Sequence, residues 1–133
     1  MRKKVLITGI MGQDGAYLAK FLLSKKYKVY GAYRRNSNYE NNRLRKLGIE
    51  NKVELIDMEV NEFTSVNYTI NKIKPDEIYN LAAMSFVGSS FDQPLYTINT
   101  NFLALVNMLE VIKHSKKKIS LYQASTSEMF GNT

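Results

Sequence analysis

Val5-Leu6-Ile7-Thr8-Gly9-Ile10-Met11-Gly12-Gln13-Asp14-Gly15 decides how this chain folds. An apolar run ends in glycines spaced G-x-x-G-x-x-G, and an amphipathic stretch follows at once. Val5 to Ile7 reads as a buried parallel strand, and Tyr17 to Leu23 as the first turns of a helix. Glycines at such a junction permit positive φ and let backbone N–H groups approach a ligand where a Cβ would collide. The helix N-terminus behind them carries unpaired donors and a partial positive charge, which suits a diphosphate. The other reading is a glycine-rich turn that binds nothing. Its place in the first βα unit of the chain favours the diphosphate.

Bulk properties narrow the field. With 133 residues the chain is expected to form one domain, 1–133, with a real core. No apolar run approaches the roughly 20 residues of a membrane span, and the basic N-terminus is followed by a short strand rather than a signal-peptide pattern. A soluble, cytoplasmic protein with no membrane partner is therefore expected. The absence of cysteine excludes disulfides and thiolate metal sites, and a single histidine argues against a histidine-rich one, so no metal is expected. The net charge of +7 raises nucleic acid as a partner, but the lysines are dispersed. The one dense run, His114 to Lys118, falls where a helix gives way to a strand, a favourable place for cations. A solvated lysine-rich surface is the expectation, with no nucleic-acid partner. Such a surface also suits anionic phosphate ligands.

Strands and helices alternate beyond the opening motif. Lys28 to Tyr33 is a second strand, followed by a polar stretch, Arg34 to Asn42, with no core-forming pattern. Val53 to Ile56 is a third strand ending at Asp57. Glu62 to Lys72 reads as a helix with Phe63, Val66, Ile70 and Ile73 on one face, and Pro75 stops it. Glu77 to Leu81 is the fourth strand. A long helix from about Tyr96 to His114 carries Ile98, Phe102, Leu105, Val106, Leu109 and Ile112 at helical spacing, which reads as core packing on a sheet. Ile119 to Ala124 is the fifth strand. Repeated βα units predict an α/β fold, a doubly wound parallel sheet of Rossmann type in the order 3-2-1-4-5, with ligands at the carboxyl ends of the strands.

Those strand ends are polar or small. Arg34 and Arg35 follow strand 2 about 20 residues beyond the glycines, where an NAD-preferring protein usually has an acid. Two guanidiniums there would pair with a 2′-phosphate, so NADP is expected over NAD, unless they are simply exposed loop arginines. Asp57 and Met58 end strand 3, placed to meet an adenine ring. Strand 4 ends in Asn80-Leu81-Ala82-Ala83-Met84-Ser85, where the alanines would let a cofactor lie close, or equally a packed helix. Strand 5 ends in Gln123-Ala124-Ser125-Thr126-Ser127-Glu128. Thr126 could bond a substrate oxygen and Glu128 could move a proton, but Ser125-x-x-Glu128 also reads as a capping box.

The G-x-x-G-x-x-G form resembles the extended, nucleotide-sugar branch of the short-chain dehydrogenases/reductases. Together with Arg34-Arg35-Asn36-Ser37, Pro75 to Ala83, Ser90 to Thr97 and Tyr122 to Glu128, the chain is similar over nearly its whole length to the N-terminal part of the GDP-mannose 4,6-dehydratase family. The resemblance implies an enzyme with tightly held NADP that converts GDP-mannose to GDP-4-keto-6-deoxymannose, by oxidation at C4, loss of water across C5–C6 and reduction at C6. It places Gly9, Ile10, Met11, Gly12, Gln13 and Asp14 at the NADP site, with Arg34, Arg35, Asn36 and Ser37, Asp57 and Met58, Leu81, Ala82, Ala83, Met84 and Ser85, and Tyr96. Thr126 and Glu128 fall on the family's active-site threonine and glutamate, Glu128 as the base at C5. Met11 departs from the threonine or other small residue common at its position. The family's Tyr-x-x-x-Lys pair, on the next helix roughly two dozen residues beyond Glu128, its C-terminal substrate domain and a sixth strand are expected to fall past Thr133. The chain is thus expected to be the N-terminal part of such an enzyme, inactive alone, with homo-oligomers expected of the full-length protein. A non-catalytic NADP-binding or assembly module, and a related epimerase or reductase, are the competing expectations.

Overall fold

The structure, a computed structural model, describes residues 2–34, 42–82 and 92–125. Its sheet is parallel throughout. β1 (Lys4–Thr8), β2 (Lys28–Tyr33), β3 (Glu54–Asp57), β4 (Glu77–Asn80) and β5 (Ser120–Gln123) stand in the order β3-β2-β1-β4-β5. The doubly wound Rossmann-type arrangement predicted from the alternating pattern is therefore present.

Both faces are covered. Val5, Ile7 and Val29 point to one side, where they meet Ala16, Ala19 and Leu22 of α1 (Gln13–Ser24) and Leu44 of α2 (Asn42–Lys46). Leu6, Tyr30, Ala32 and Ile78 point to the other, against Val66, Ile70 and Ile73 of α3 (Phe63–Ile73) and Ala104, Met108 and Val111 of α5 (Ala104–Lys113). The alternation along β1 sends successive side chains to opposite layers, as a strand's two-residue period requires. Burial on both sides explains why β1 reads as an unbroken apolar run.

Two expectations need correction, and one helix had no sequence signal: α2 begins where the polar stretch Arg34 to Asn42 ends, and its Leu44 is fully buried. Phe63 is exposed, although the rest of its predicted face is buried. The largest difference lies in the long helix. It begins as α4 (Pro94–Ile98), passes through a π-helical turn (Asn99–Leu103) and continues as α5. Ile98, Phe102, Val106 and Leu109, read as core, are exposed, and Leu105 and Ile112 are half-buried. Ala104, Met108 and Val111 pack in the core with Leu6 and Ile78 instead, and Thr100 is also buried.

Candidate dinucleotide site

At the carboxyl end of the sheet, β1 breaks into a turn that delivers the chain to α1. Gly9 has φ +71°, a left-handed conformation that costs a side-chain-bearing residue on the order of 1 kcal/mol or more. A Cβ on Gly9 would also stand 2.9 Å from the Leu81 carbonyl carbon. A Cβ on Gly15 would collide with the Gly9 carbonyl. These two glycines therefore let the turn fold flat between β4 and α1. The Gly12 N–H closes the turn on the Gly9 carbonyl at 3.0 Å. Gly12 is the N-cap of α1 and contributes no side-chain bond to the helix end. The first N–H groups of the helix are thus left for a ligand, with the positive end of the helix dipole behind them.

A cavity of about 390 Å³ opens over this turn. Gly9, Ile10, Met11 and Gly12 form its floor, Tyr33 and Arg34 leave β2 along one wall, and Met58 follows β3. Ala82 after β4 and Thr100 from the π turn complete the far side. The size falls within the range of about 300–1,000 Å³ usual for small-molecule sites. Ile10 borders the cavity as a fully buried residue packed with Val5, Ile7 and Ala16. Gln13 and Asp14 are exposed in the first turn of α1. Leu81 is held against the turn by its N–H, which donates to the Thr8 hydroxyl at 3.0 Å.

The sequence-predicted set is thus only partly gathered. Gly9 to Gly12, Arg34, Met58 and Ala82 share the cavity. Asp57 lines a separate cavity, between β3 and α3, with Tyr68 and Lys72. Arg35, Asn36, Ser37, Ala83, Met84, Ser85, Thr126 and Glu128 lie outside the described residues, as does the side chain of Tyr96. Three contributors escaped the sequence reading. Arg43 of α2 donates from Nη1 to the Met11 carbonyl at 2.9 Å, bringing a guanidinium to the glycine turn. Glu59 lines the cavity two residues past β3, its N–H held by Ser65 Oγ at 3.0 Å. Thr100 reaches the cavity from the π turn, where Asn61 Nδ2 donates to its hydroxyl at 3.4 Å. The π turn was detectable only as a helix whose apolar stripe changes phase; such turns recur at functional sites. Arg43 had no such local signal, since its partner lies 32 residues away in sequence.

Comparison with known proteins agrees with this geometry. A sequence model of the family described as GDP-mannose 4,6 dehydratase matches residues 6–133. The chain is 42% identical over 142 aligned residues to "GDP-mannose 4,6 dehydratase 2" of Arabidopsis thaliana, covering 99% of this chain and 38% of that protein. Among solved structures, UDP-glucose-4-epimerase from Stenotrophomonas maltophila, with bound NAD and formylated UDP-arabinopyranose, superposes with a TM-score of 0.83. That match is 19% identical and covers 99% of this chain and 39% of the epimerase, so it supports the fold alone. The Bordetella bronchiseptica enzyme WbmH, in complex with NAD+, gives a TM-score of 0.68 at 25% identity over 85% of this chain and 36% of that one. The chain spans under two fifths of the length of the Arabidopsis relative it matches. A family model covering almost every residue, on a sheet of the predicted order with a glycine turn at its carboxyl end, shows that the chain belongs to the GDP-mannose 4,6-dehydratase family.

Proposed function

We propose that residues 1–133 are the NADP-binding portion of a nucleotide-sugar dehydratase acting on GDP-mannose. The observation that carries this reading is the single cavity shared by the Gly9–Gly12 turn, Arg34 and Met58. The fit is physical: a Cβ at Gly9 or Gly15 would fill or distort the cradle, and the α1 N-terminus lacks a side-chain cap. The turn and helix end would hold the diphosphate. Arg34, with Arg35 beyond it, would pair with the ribose 2′-phosphate, and Met58 would lie against adenine. NADP, when bound, would supply the hydride exchange with the sugar. Thr126 would bond a sugar oxygen, and Glu128 would take the proton at C5 as water leaves C6. Among the described residues no helix is long and apolar enough to cross a membrane, and the proposed setting is the cytoplasm.

Calorimetric titration of the chain with NADP and then NAD tests this. NADP should bind more tightly, by roughly 10-fold or more, since a charge-assisted bond contributes about 1.5–3 kcal/mol. Equal affinities would remove the role given to Arg34.

A second reading, an assembly module, is favoured by one observation. Leu95, Ile98, Phe102, Val106 and Leu109 form an exposed apolar stripe along residues 94–113. A second copy of the chain is the occupant this reading requires, as in the homo-oligomers expected of the family. Light scattering at high concentration should then show a dimer or larger species, and a strict monomer removes the role.

A further inference from the structure

Thr8, Asn80 and Gln123 are register partners on β1, β4 and β5, the row nearest the cavity. The same row continues through Ala32 and Ile56 on β2 and β3, so it is apolar on one side of β1 and polar on the other. The polar half is fully joined. The Thr8 hydroxyl accepts the N–H groups of Leu81 and Ala82, each at 3.0 Å. Its own proton then goes to Asn80 Oδ1, 2.6 Å away. That fixes the Asn80 amide, whose Nδ2 donates to Gln123 Oε1 at 2.7 Å. Gln123 is fixed in turn, and its Nε2 donates to the Ala124 carbonyl at 3.2 Å. Thr8 and Asn80 are buried, where an unpaired amide or hydroxyl is costly, so each bond constrains the next.

The ladder ends on backbone at both exits: Leu81 and Ala82 after β4, and Ala124 after β5. A dinucleotide in a fold of this order crosses the sheet, its first nucleotide over β2 and β3 and its second over β4 and β5. We infer that the Thr8–Asn80–Gln123 ladder is a positioning device that holds the β4 and β5 exits in fixed relation to the glycine turn, and so sets affinity for the nicotinamide-bearing half of the cofactor but not for the adenosine half. This rests on the NADP reading above. Gln123 is its most exposed member and the one whose change least disturbs the core.

The test compares NADP with adenosine 2′,5′-bisphosphate, which has the first half's base and 2′-phosphate but no nicotinamide. Gln123→Met keeps side-chain length and loses the acceptor for Asn80; Gln123→Glu keeps the acceptor. By titration calorimetry, Gln123→Met should bind NADP about five-fold more weakly than wild type, the scale of one lost hydrogen bond. It should bind the bisphosphate unchanged, and Gln123→Glu should recover most of the NADP affinity. A purely structural role would lower both affinities together. Equal loss for both ligands, or no loss for NADP, overturns the inference while leaving the nucleotide site in place. Wild-type chain that binds neither ligand overturns the NADP reading itself. Should Gln123→Met fail to fold, Thr8→Ser (hydroxyl kept) against Thr8→Val (hydroxyl lost) gives the same comparison at the other end of the ladder.

Discussion

Arg43 shows how much a single side chain can add to a turn made of backbone. Its guanidinium reaches from α2 to the Met11 carbonyl at 2.9 Å, so it both restrains the turn and adds positive charge where a diphosphate would sit. Arg43→Ala should weaken NADP binding by about 10-fold, with little change in melting temperature because the side chain is exposed. Titration calorimetry beside a thermal melt separates the two effects. Gly9, by contrast, was fully legible in the sequence. Its spacing announced a turn, and its φ of +71° gives the reason. Arg43 was not legible, because nothing local in Asn42-Arg43-Leu44-Arg45-Lys46 says which neighbour a long cation will find.

Among the elements, strands were easier to read than helices. β2 has the bounds its sequence implies, Lys28–Tyr33, since a buried strand between polar flanks has few alternatives. The helix over residues 94–113 was read on the wrong face. It carries apolar residues on two stripes, and helical spacing cannot say which meets the sheet. The side chains that won are Ala104, Met108 and Val111, and the bulkier Phe102 and Leu109 lost. Met108→Ala should therefore cost about 2–4 kcal/mol of stability, whereas Leu109→Ser should stay within about 0.5 kcal/mol for the monomer. Urea unfolding of the two variants decides between the stripes. Similarly, α2 was missed because one buried leucine among five residues leaves no periodicity to detect.

For the molecule as a whole, the two ends of the sheet do different work. The carboxyl end carries the cavity, while the amino end is fastened by Asp76. Its Oδ2 accepts the Lys4 N–H at 2.8 Å, its Oδ1 meets Lys117 Nζ at 3.1 Å, and its carbonyl accepts the Ser120 N–H at 3.0 Å. The bond from the Lys4 backbone, then that from Lys117, holds the Asp76 carboxyl below its ordinary pKa. A carboxyl lowered in the folded state stabilises the fold above its unfolded pKa, and that contribution disappears as pH falls through the folded value. Asp76→Asn should thus cost about 1 kcal/mol at pH 7, a modest figure because the pair is partly solvated. The gap from wild type should narrow as pH drops below about 4, which denaturant unfolding across that range would show.

The parallel order also has a cost during synthesis. β1 is made well before β4, which pairs with it from Glu77 onward, opposite Val5. At about 5–20 residues per second, a ribosome would leave that edge of Val5-Leu6-Ile7 unpaired for several seconds. Over that interval the nascent chain displays an apolar segment with an unpaired strand edge, the kind of surface that promotes aggregation. Slow-codon placement upstream of residue 77 would lengthen the exposure and raise aggregation in the cell.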